Sequence, residues 1–169
     1  MNSIDIVAYN IFKKLTEKGK TLSTAESCTG GLIASSITDI PGASKVFLGG
    51  VIVYAIEMKK EILKIPEKVF TYGVVSKEMA TAMALSVKSL TGSDYSIATT
   101  GNLGPDTMEG KPRGLIYVAI ATPENEEHFL EAKPNVSKVY VKELNLQGDR
   151  LSNKKESVIE ALKLLNQHL

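Results

Sequence analysis

Ser27 is placed where a serine could act as a nucleophile. It lies in Thr24-Ala25-Glu26-Ser27-Cys28-Thr29-Gly30-Gly31, where an extended segment, 21 to 26, runs into small polar residues and two glycines. A helix-like stretch, Leu32 to Asp39, follows at once. A strand–turn–helix of this kind exposes a hydroxyl beside free backbone N–H groups at a helix N-terminus. N–H groups around Cys28, Thr29 and Gly30 would then meet an oxyanion. The same residues admit a plainer use, in which Ser27 or Thr29 caps the helix and the glycines let it pack closely. Cys28 reads as a small buried cysteine rather than a second nucleophile.

A serine nucleophile needs a base, and histidine is scarce. His128 falls in an acidic, polar run, and His168 is the penultimate residue, expected to fray. A Ser–His–Asp triad and a cluster of histidine metal ligands are therefore poorly supplied, which points to lysine or tyrosine as base. Tyr54 and Lys59 fit, because five residues across a strand–helix junction bring both to one end of a sheet. Met58, Ile62 and Leu63 border Lys59, and partial burial there would disfavour its charged form. The alternative is a lysine that lays its stem over an apolar helix face.

The loop from Thr100 to Gly114 is rich in glycine and proline and follows a strand pattern. Its N–H groups could approach a phosphate, or its glycines could simply serve a crossover needing positive φ. Gly104 to Gly110-Lys111 imitates a phosphate-binding NTPase loop, but it is one residue too long and Pro112 stands in place of Ser or Thr. An NTPase is excluded. Arg150, just before the last helix pattern, is a candidate phosphate clamp or an exposed loop residue.

The elements that must position these groups follow from periodicity. Helices are expected from Ile4 to Gly19, Gly30 to Ile40, Glu57 to Lys64, Ser76 to Gly92 and Leu151 to Leu169, with a short helix or turn over 66–72. Strands are expected at Leu22–Glu26, 46–54, 94–100, Leu115–Ala121, 127–132 and 137–146. Gly49-Gly50 suggests a bulge or a close approach within the second strand. This alternation predicts one α/β domain over residues 1–169, with helices on both faces of a mixed sheet.

Composition narrows the partners. A net charge of +1 gives no electrostatic footprint for nucleic acid, and Lys13-Lys14 and Lys154-Lys155 read as solvated helix faces. The one cysteine precludes an intrachain disulfide framework, and no apolar run is long enough for a membrane span or a signal peptide. A cytoplasmic protein is expected.

Taken together, these segments resemble the CinA C-terminal domain family, which also occurs alone as nicotinamide-nucleotide amidohydrolases. The resemblance is carried by Ala25 through Gly31, by Thr38-Asp39-Ile40-Pro41-Gly42-Ala43-Ser44, and by Tyr54 with Lys59. Gly73-Val74-Val75-Ser76, Thr100-Gly101, Gly104-Pro105, Lys111-Pro112, Gly114 and Gly148-Asp149-Arg150 extend it through nearly the whole chain. It implies a three-layer α/β/α fold with a mixed, mostly parallel sheet, in a homodimer. It implies hydrolysis of nicotinamide mononucleotide to nicotinic acid mononucleotide and ammonia, with no metal or cofactor. Ser27 would be the nucleophile and Lys59, assisted by Tyr54, the base. Cys28, Thr29 and Gly30 would supply oxyanion N–H groups, and Thr100, Gly101 and Arg150 would line the substrate. The sequence looks like the stand-alone form. Two departures bear on the pocket. Ala55-Ile56 replaces the family's usual serine and asparagine after the tyrosine, and Asp106-Thr107-Met108-Glu109 replaces a run of glycines. They leave two other expectations open: a nucleotide-binding module that has lost turnover, and a serine amidase with another substrate.

Overall fold

The computed structural model describes residues 2–123 and 137–169; the expected strand 127–132 and His128 lie outside them. Capping side chains set the main helix boundaries. α1 (Ser3–Lys18) opens where Asn2 and Asp5 exchange side-chain and backbone bonds, and closes on Gly19 in the left-handed region. α5 (Lys77–Thr91) begins where Ser76 Oγ accepts the Met79 N–H. α6 (Arg150–Gln167) begins where Asp149 accepts the Ser152 N–H. Three shorter helices, α2 (Leu32–Thr38), α3 (Ile56–Glu61) and α4 (Glu67–Phe70), lie between them. The end of α6 does not fray: the His168 ring stacks on Tyr140 with centroids 3.6 Å apart.

The strands are β1 (Leu22–Glu26), β2 (Phe47–Ile52), β3 (Tyr95–Gly101), β4 (Leu115–Ala121) and β5 (Val139–Asn145), in spatial order β2-β1-β3-β4-β5. β1 runs parallel to β2 and β3, whereas β4 is antiparallel to β3 and β5. The sheet is therefore mixed, with only β4 reversed. The register between β1 and β2 slips after Leu22–Phe47 and leaves Leu48 as the extra residue, so the bulge lies just ahead of Gly49-Gly50, and the close approach expected there falls at Gly50. A Cβ on Gly50 would stand 2.1 Å from Thr24 Oγ1, so the strand pair closes only over a glycine.

Helices cover both faces. On one, Ile11 and Leu15 of α1, Ile33 and Ile37 of α2, and Val158 and Leu162 of α6 pack over Leu22, Ile97, Ile116 and Ile120. Each such buried side chain contributes about 1.5–3 kcal/mol. On the other, Met79, Met83 and Val87 of α5 lie over Ala25, Ala98, Ala119 and Ala121. Small sheet residues there let α5 approach closely, and Ser96 even donates to the Ala84 carbonyl of that helix at 2.6 Å. Because β1, β2, β3 and β5 point the same way, their carboxyl ends deliver Ser27, Tyr54, Gly101 and the start of α6 to one edge, where sites in α/β sheets form.

Candidate active site

Ser27 follows the last residue of β1, and the turn behind it is held from several directions. Its N–H donates to the Thr99 carbonyl at 3.2 Å, and its carbonyl accepts the Gly30 N–H at 3.1 Å. Neither Ser27 nor Thr29 caps α2. The helix starts on Gly31, with no side-chain cap of its own. The N–H groups of Ile33 and Ala34 instead donate to the Glu26 carboxylate at 2.9 and 3.0 Å, and Thr29 Oγ1 donates to it at 2.7 Å. Glu26 is 1% exposed, so a negative charge is buried against the positive end of the helix. Sequence reasoning missed this residue, although a carboxylate just ahead of a helix that opens on glycine was a signal.

That arrangement revises the oxyanion pocket. The first N–H groups of α2 are taken by Glu26, and the Gly30 N–H is taken within the turn. The Cys28 and Thr29 N–H groups have no acceptor among the described residues. Burial pushes the Cys28 thiol up to about 12, so it stays protonated beside the serine.

Lys59 reaches Ser27 from α3. Its Nζ lies 3.0 Å from Ser27 Oγ, 2.7 Å from the Val53 carbonyl and 3.1 Å from the Tyr54 carbonyl. The side chain is buried, and burial lowers its pKa to about 8. A neutral amine has two N–H donors and one lone pair. Two carbonyls and one hydroxyl accept the three N–H bonds of the ammonium; when it loses a proton, two N–H groups still serve the carbonyls and the lone pair is left facing the Ser27 hydroxyl.

Tyr54 serves Lys59 through its carbonyl, not its phenol. The phenol oxygen accepts from Arg150 at 2.9 Å, and the side chain is exposed. The other Arg150 nitrogen donates to the Gly104 carbonyl at 2.7 Å. The assistance to Lys59 that the resemblance implies for Tyr54 has a backbone counterpart here, its carbonyl, while its ring lies against Arg150. Thr100 reaches the same sheet edge, but its buried hydroxyl donates to the Val74 carbonyl at 2.6 Å, on the α5 side. Gly101 does line the cleft, and a Cβ there would stand 2.5 Å from the Leu115 carbonyl oxygen.

The cleft in front of Ser27 holds about 310 Å³, with Cys28, Tyr54, Gly101, Asn102, Asp106 and Arg150 among its walls. Asn102 shapes the loop beyond: its amide bonds Met108 and Lys111 carbonyls and accepts the Met108 N–H. Glu109 turns away from the cleft, accepting the Val74 and Val75 N–H groups at 2.9 Å each. Asp106 faces it. A second residue missed in the sequence, Asn153, ties this wall to α6: its buried amide donates to the Leu103 and Gly148 carbonyls at 3.0 Å. Among the described residues, no group of His, Cys, Asp and Glu side chains could hold a metal ion, and no helix is long and apolar enough to cross a membrane.

The model of the CinA C-terminal domain matches residues 5–169. The chain belongs to that family. A relative from Caldanaerobacter subterraneus, described only provisionally as competence-damage inducible, is 42% identical over 161 residues, 94% of this chain and 36% of its own. A CinA-like protein from Synechococcus is 50% identical over 117 residues, 68% of this chain and 27% of its own. The chain thus spans about a third of the length of such relatives. Among solved structures, the competence/damage inducible protein CihA from Agrobacterium tumefaciens is similar at 30% identity, with a TM-score of 0.85 over 98% of this chain and 94% of that one. A CinA superfamily protein from Escherichia coli gives 27% identity and a TM-score of 0.87, covering 98% and 90%. The three-layer α/β/α arrangement is that of the family.

Proposed function

We propose that this chain is a Ser–Lys amidohydrolase of pyridine-nucleotide salvage in the cytoplasm, converting nicotinamide mononucleotide and water to nicotinic acid mononucleotide and ammonia. The observation that carries the reading is the 3.0 Å contact between Ser27 Oγ and a buried lysine whose pKa is lowered to about 8. Neutral Lys59 takes the Ser27 proton as Oγ attacks the carboxamide carbon. The Cys28 and Thr29 N–H groups receive the oxyanion. Lys59 then gives its proton to the amide nitrogen, the C–N bond breaks and ammonia leaves. Water attacks the acyl-serine with Lys59 again as base, releasing the acid and restoring Ser27. Arg150, across the cleft, has guanidinium N–H groups left for the 5′-phosphate.

Two observations favour a second reading, a module of the same fold acting on or binding a different ligand. Asp106 faces the cleft where the family's glycines would leave it uncharged, and Arg150 is already bonded to Tyr54 and Gly104. Ammonia release from the mononucleotide by wild type but not by Ser27→Ala supports the amidase. Release by neither, with both proteins folded, moves the assignment to the second reading.

We also propose that the chain works as a homodimer paired through the β2 edge. Leu48, Ile52, Tyr54, Ile56, Met58 and Ile62 are all exposed along that edge strand and the following helix. β2 pairs only with β1, so its outer backbone edge is unpaired among the described residues. An apolar patch beside an open strand edge is a hazard unless covered, and a second copy presents the same surface in return. Sedimentation of wild type and Ile52→Lys tests this: a dimer that the charge dissociates supports it, and a monomeric wild type overturns it.

A further inference from the structure

Two large apolar side chains in the cleft lining are left uncovered. Tyr54 is 59% exposed and Met108 is 49% exposed, whereas Cys28 and Leu103 of the same lining are buried. A single exposed hydrophobe on a surface needs no explanation. Two that line one cleft of about 310 Å³ and rise from different walls do. Tyr54 comes from the segment that follows β2 and holds Lys59, on the Ser27 side. Met108 comes from the loop between β3 and β4, on the far side.

Both are held by their neighbours. The Met108 N–H donates to Asn102 Oδ1 at 3.2 Å, and its carbonyl accepts from Asn102 Nδ2 at 3.3 Å and from the Lys111 N–H at 3.1 Å. Asn102 is buried, and the next residue after Met108, Glu109, is clamped to the Val74 and Val75 N–H groups. Glu109 has φ 60°, in the left-handed region that a residue with a side chain seldom adopts, so the backbone beside Met108 is bent at some cost in strain and bound there. The Tyr54 ring is fixed at its outer end by Arg150, 2.9 Å from the phenol oxygen, and its backbone is fixed by Lys59. Fixing of this kind puts a binding surface in place before a ligand arrives and lowers the ordering cost of binding.

The two surfaces suit the same kind of ligand. A tyrosine face attracts a cation, and a thioether sulfur packs favourably against an aromatic ring. A flat, cationic ring meets both conditions, and an aliphatic amide meets neither. We propose that Met108 is a specificity-determining residue: together with the Tyr54 ring it forms a slot for the positively charged aromatic ring that carries the scissile carboxamide, in the cleft that Ser27 lines. The proposal rests on the amidase reading for its substrate class, and it adds which part of the substrate this loop recognises. It does not need turnover, because the ring is held whether or not the amide is cut.

The experiment is calorimetric binding in a Ser27→Ala background, with nicotinamide mononucleotide as ligand and ribose 5-phosphate, which keeps the sugar phosphate and lacks the ring, as competitor. Met108→Ala should weaken the mononucleotide roughly 2- to 10-fold, the worth of one sulfur–ring contact, and leave ribose 5-phosphate unchanged. Met108→Leu, apolar and of similar size, should recover most of the loss, and Met108→Gln, of similar length but polar, should not. Equal weakening of both probes would mean that the loop has shifted as a whole, and it overturns the inference. An unchanged mononucleotide affinity, or no mononucleotide binding at all, overturns it too. Should ribose 5-phosphate fail to compete in the Ser27→Ala parent, the Leu and Gln variants decide on the mononucleotide alone: recovery by Leu only supports the slot, and recovery by both or by neither overturns it. Ammonia release by the chain with Ser27 intact, measured alongside, separates the two claims. Release with an affinity indifferent to Met108 removes this inference and keeps the amidase. Met108-dependent binding without release does the reverse.

Discussion

The two walls of the cleft are built on different principles. On the Ser27 side, Glu26, Ser27 and Lys59 are buried and held by backbone partners: Glu26 by N–H groups of α2, Ser27 by the Thr99 carbonyl of β3, and Lys59 by the Val53 and Tyr54 carbonyls just past β2. On the opposite side, residues 105–110 are exposed, and the wall is shaped by side-chain contacts from Asn102, Glu109 and Asn153. Burial fixes geometry and shifts pKa values, so on the proposed amidase reading the first wall would determine which bond is broken. Exposure leaves charge and shape open to change, so on the same reading the second would determine what is bound. That reading separates chemistry and specificity onto opposite sides of one cleft, and changes on each side should give different kinetic signatures.

The largest effects belong to the buried wall. Ser27→Ala should lower kcat on the order of 10³-fold or more, and Lys59→Met on the order of 10²- to 10⁴-fold, with substrate binding little changed. Met is chosen because it fills the space that Lys59 leaves in the core. A fall in KM-governed binding as large as the fall in kcat would break the division between the walls.

The pH profile sharpens the same point. Activity needs neutral Lys59, so kcat/KM should rise with pH and level off above about 8, falling about tenfold per unit below it. The stability sign follows from the same shift. The folded value, about 8, lies below the ordinary 10.5, so between them the unfolded chain binds the extra proton. Stability from this group therefore rises with pH across that window, and its burial is least favourable below about 8. Lys59→Met should remove that rise in denaturant titrations, and a profile flat from about pH 6 to 9 would argue against a tuned lysine.

Glu26 should give an intermediate effect, and mainly on stability. Glu26→Ala leaves the Ile33 and Ala34 N–H groups buried without an acceptor, which should cost about 1–3 kcal/mol. Thermal denaturation would register this as a drop of several degrees. A variant with undiminished stability would show that water replaces the carboxylate and that the turn is not anchored by it.

How much of this was legible in the sequence depended on how local each interaction is. The strands, the long helices and their caps follow from periodicity and from Asn2, Ser76 and Asp149, all of which act within a few residues. That Ser27 and Lys59 meet was legible mainly through the family resemblance, since residue types alone left a helix cap and a lysine laid over an apolar face as alternatives. The role of Tyr54 was not. Residue type suggested its ring, whereas the end of β2 contributes its carbonyl, and the ring's partner lies 96 positions away in α6. Glu26 was obscured because its partners appear only once the turn has folded back over the strand end. Asn153 was unreadable for a simpler reason: a helix face is polar in sequence whether it meets water or a loop from elsewhere in the chain.

The smallest expected effect tests the exposed wall directly. Asp106 faces the cleft but holds no hydrogen bond among the described residues, so replacing it should not disturb the loop that Asn102 and Glu109 brace. If the ligand carries a phosphate, Asp106→Asn removes a repulsion across a solvated gap, worth under about 1 kcal/mol. The mononucleotide KM should then fall about two- to fivefold with kcat unchanged. A rise in KM would instead mean that Asp106 accepts hydrogen bonds from the substrate, as a carboxylate does from a sugar diol. That result would reassign the acidic loop from a tolerated departure to a recognition element, and steady-state kinetics on this one variant distinguishes the two by sign alone.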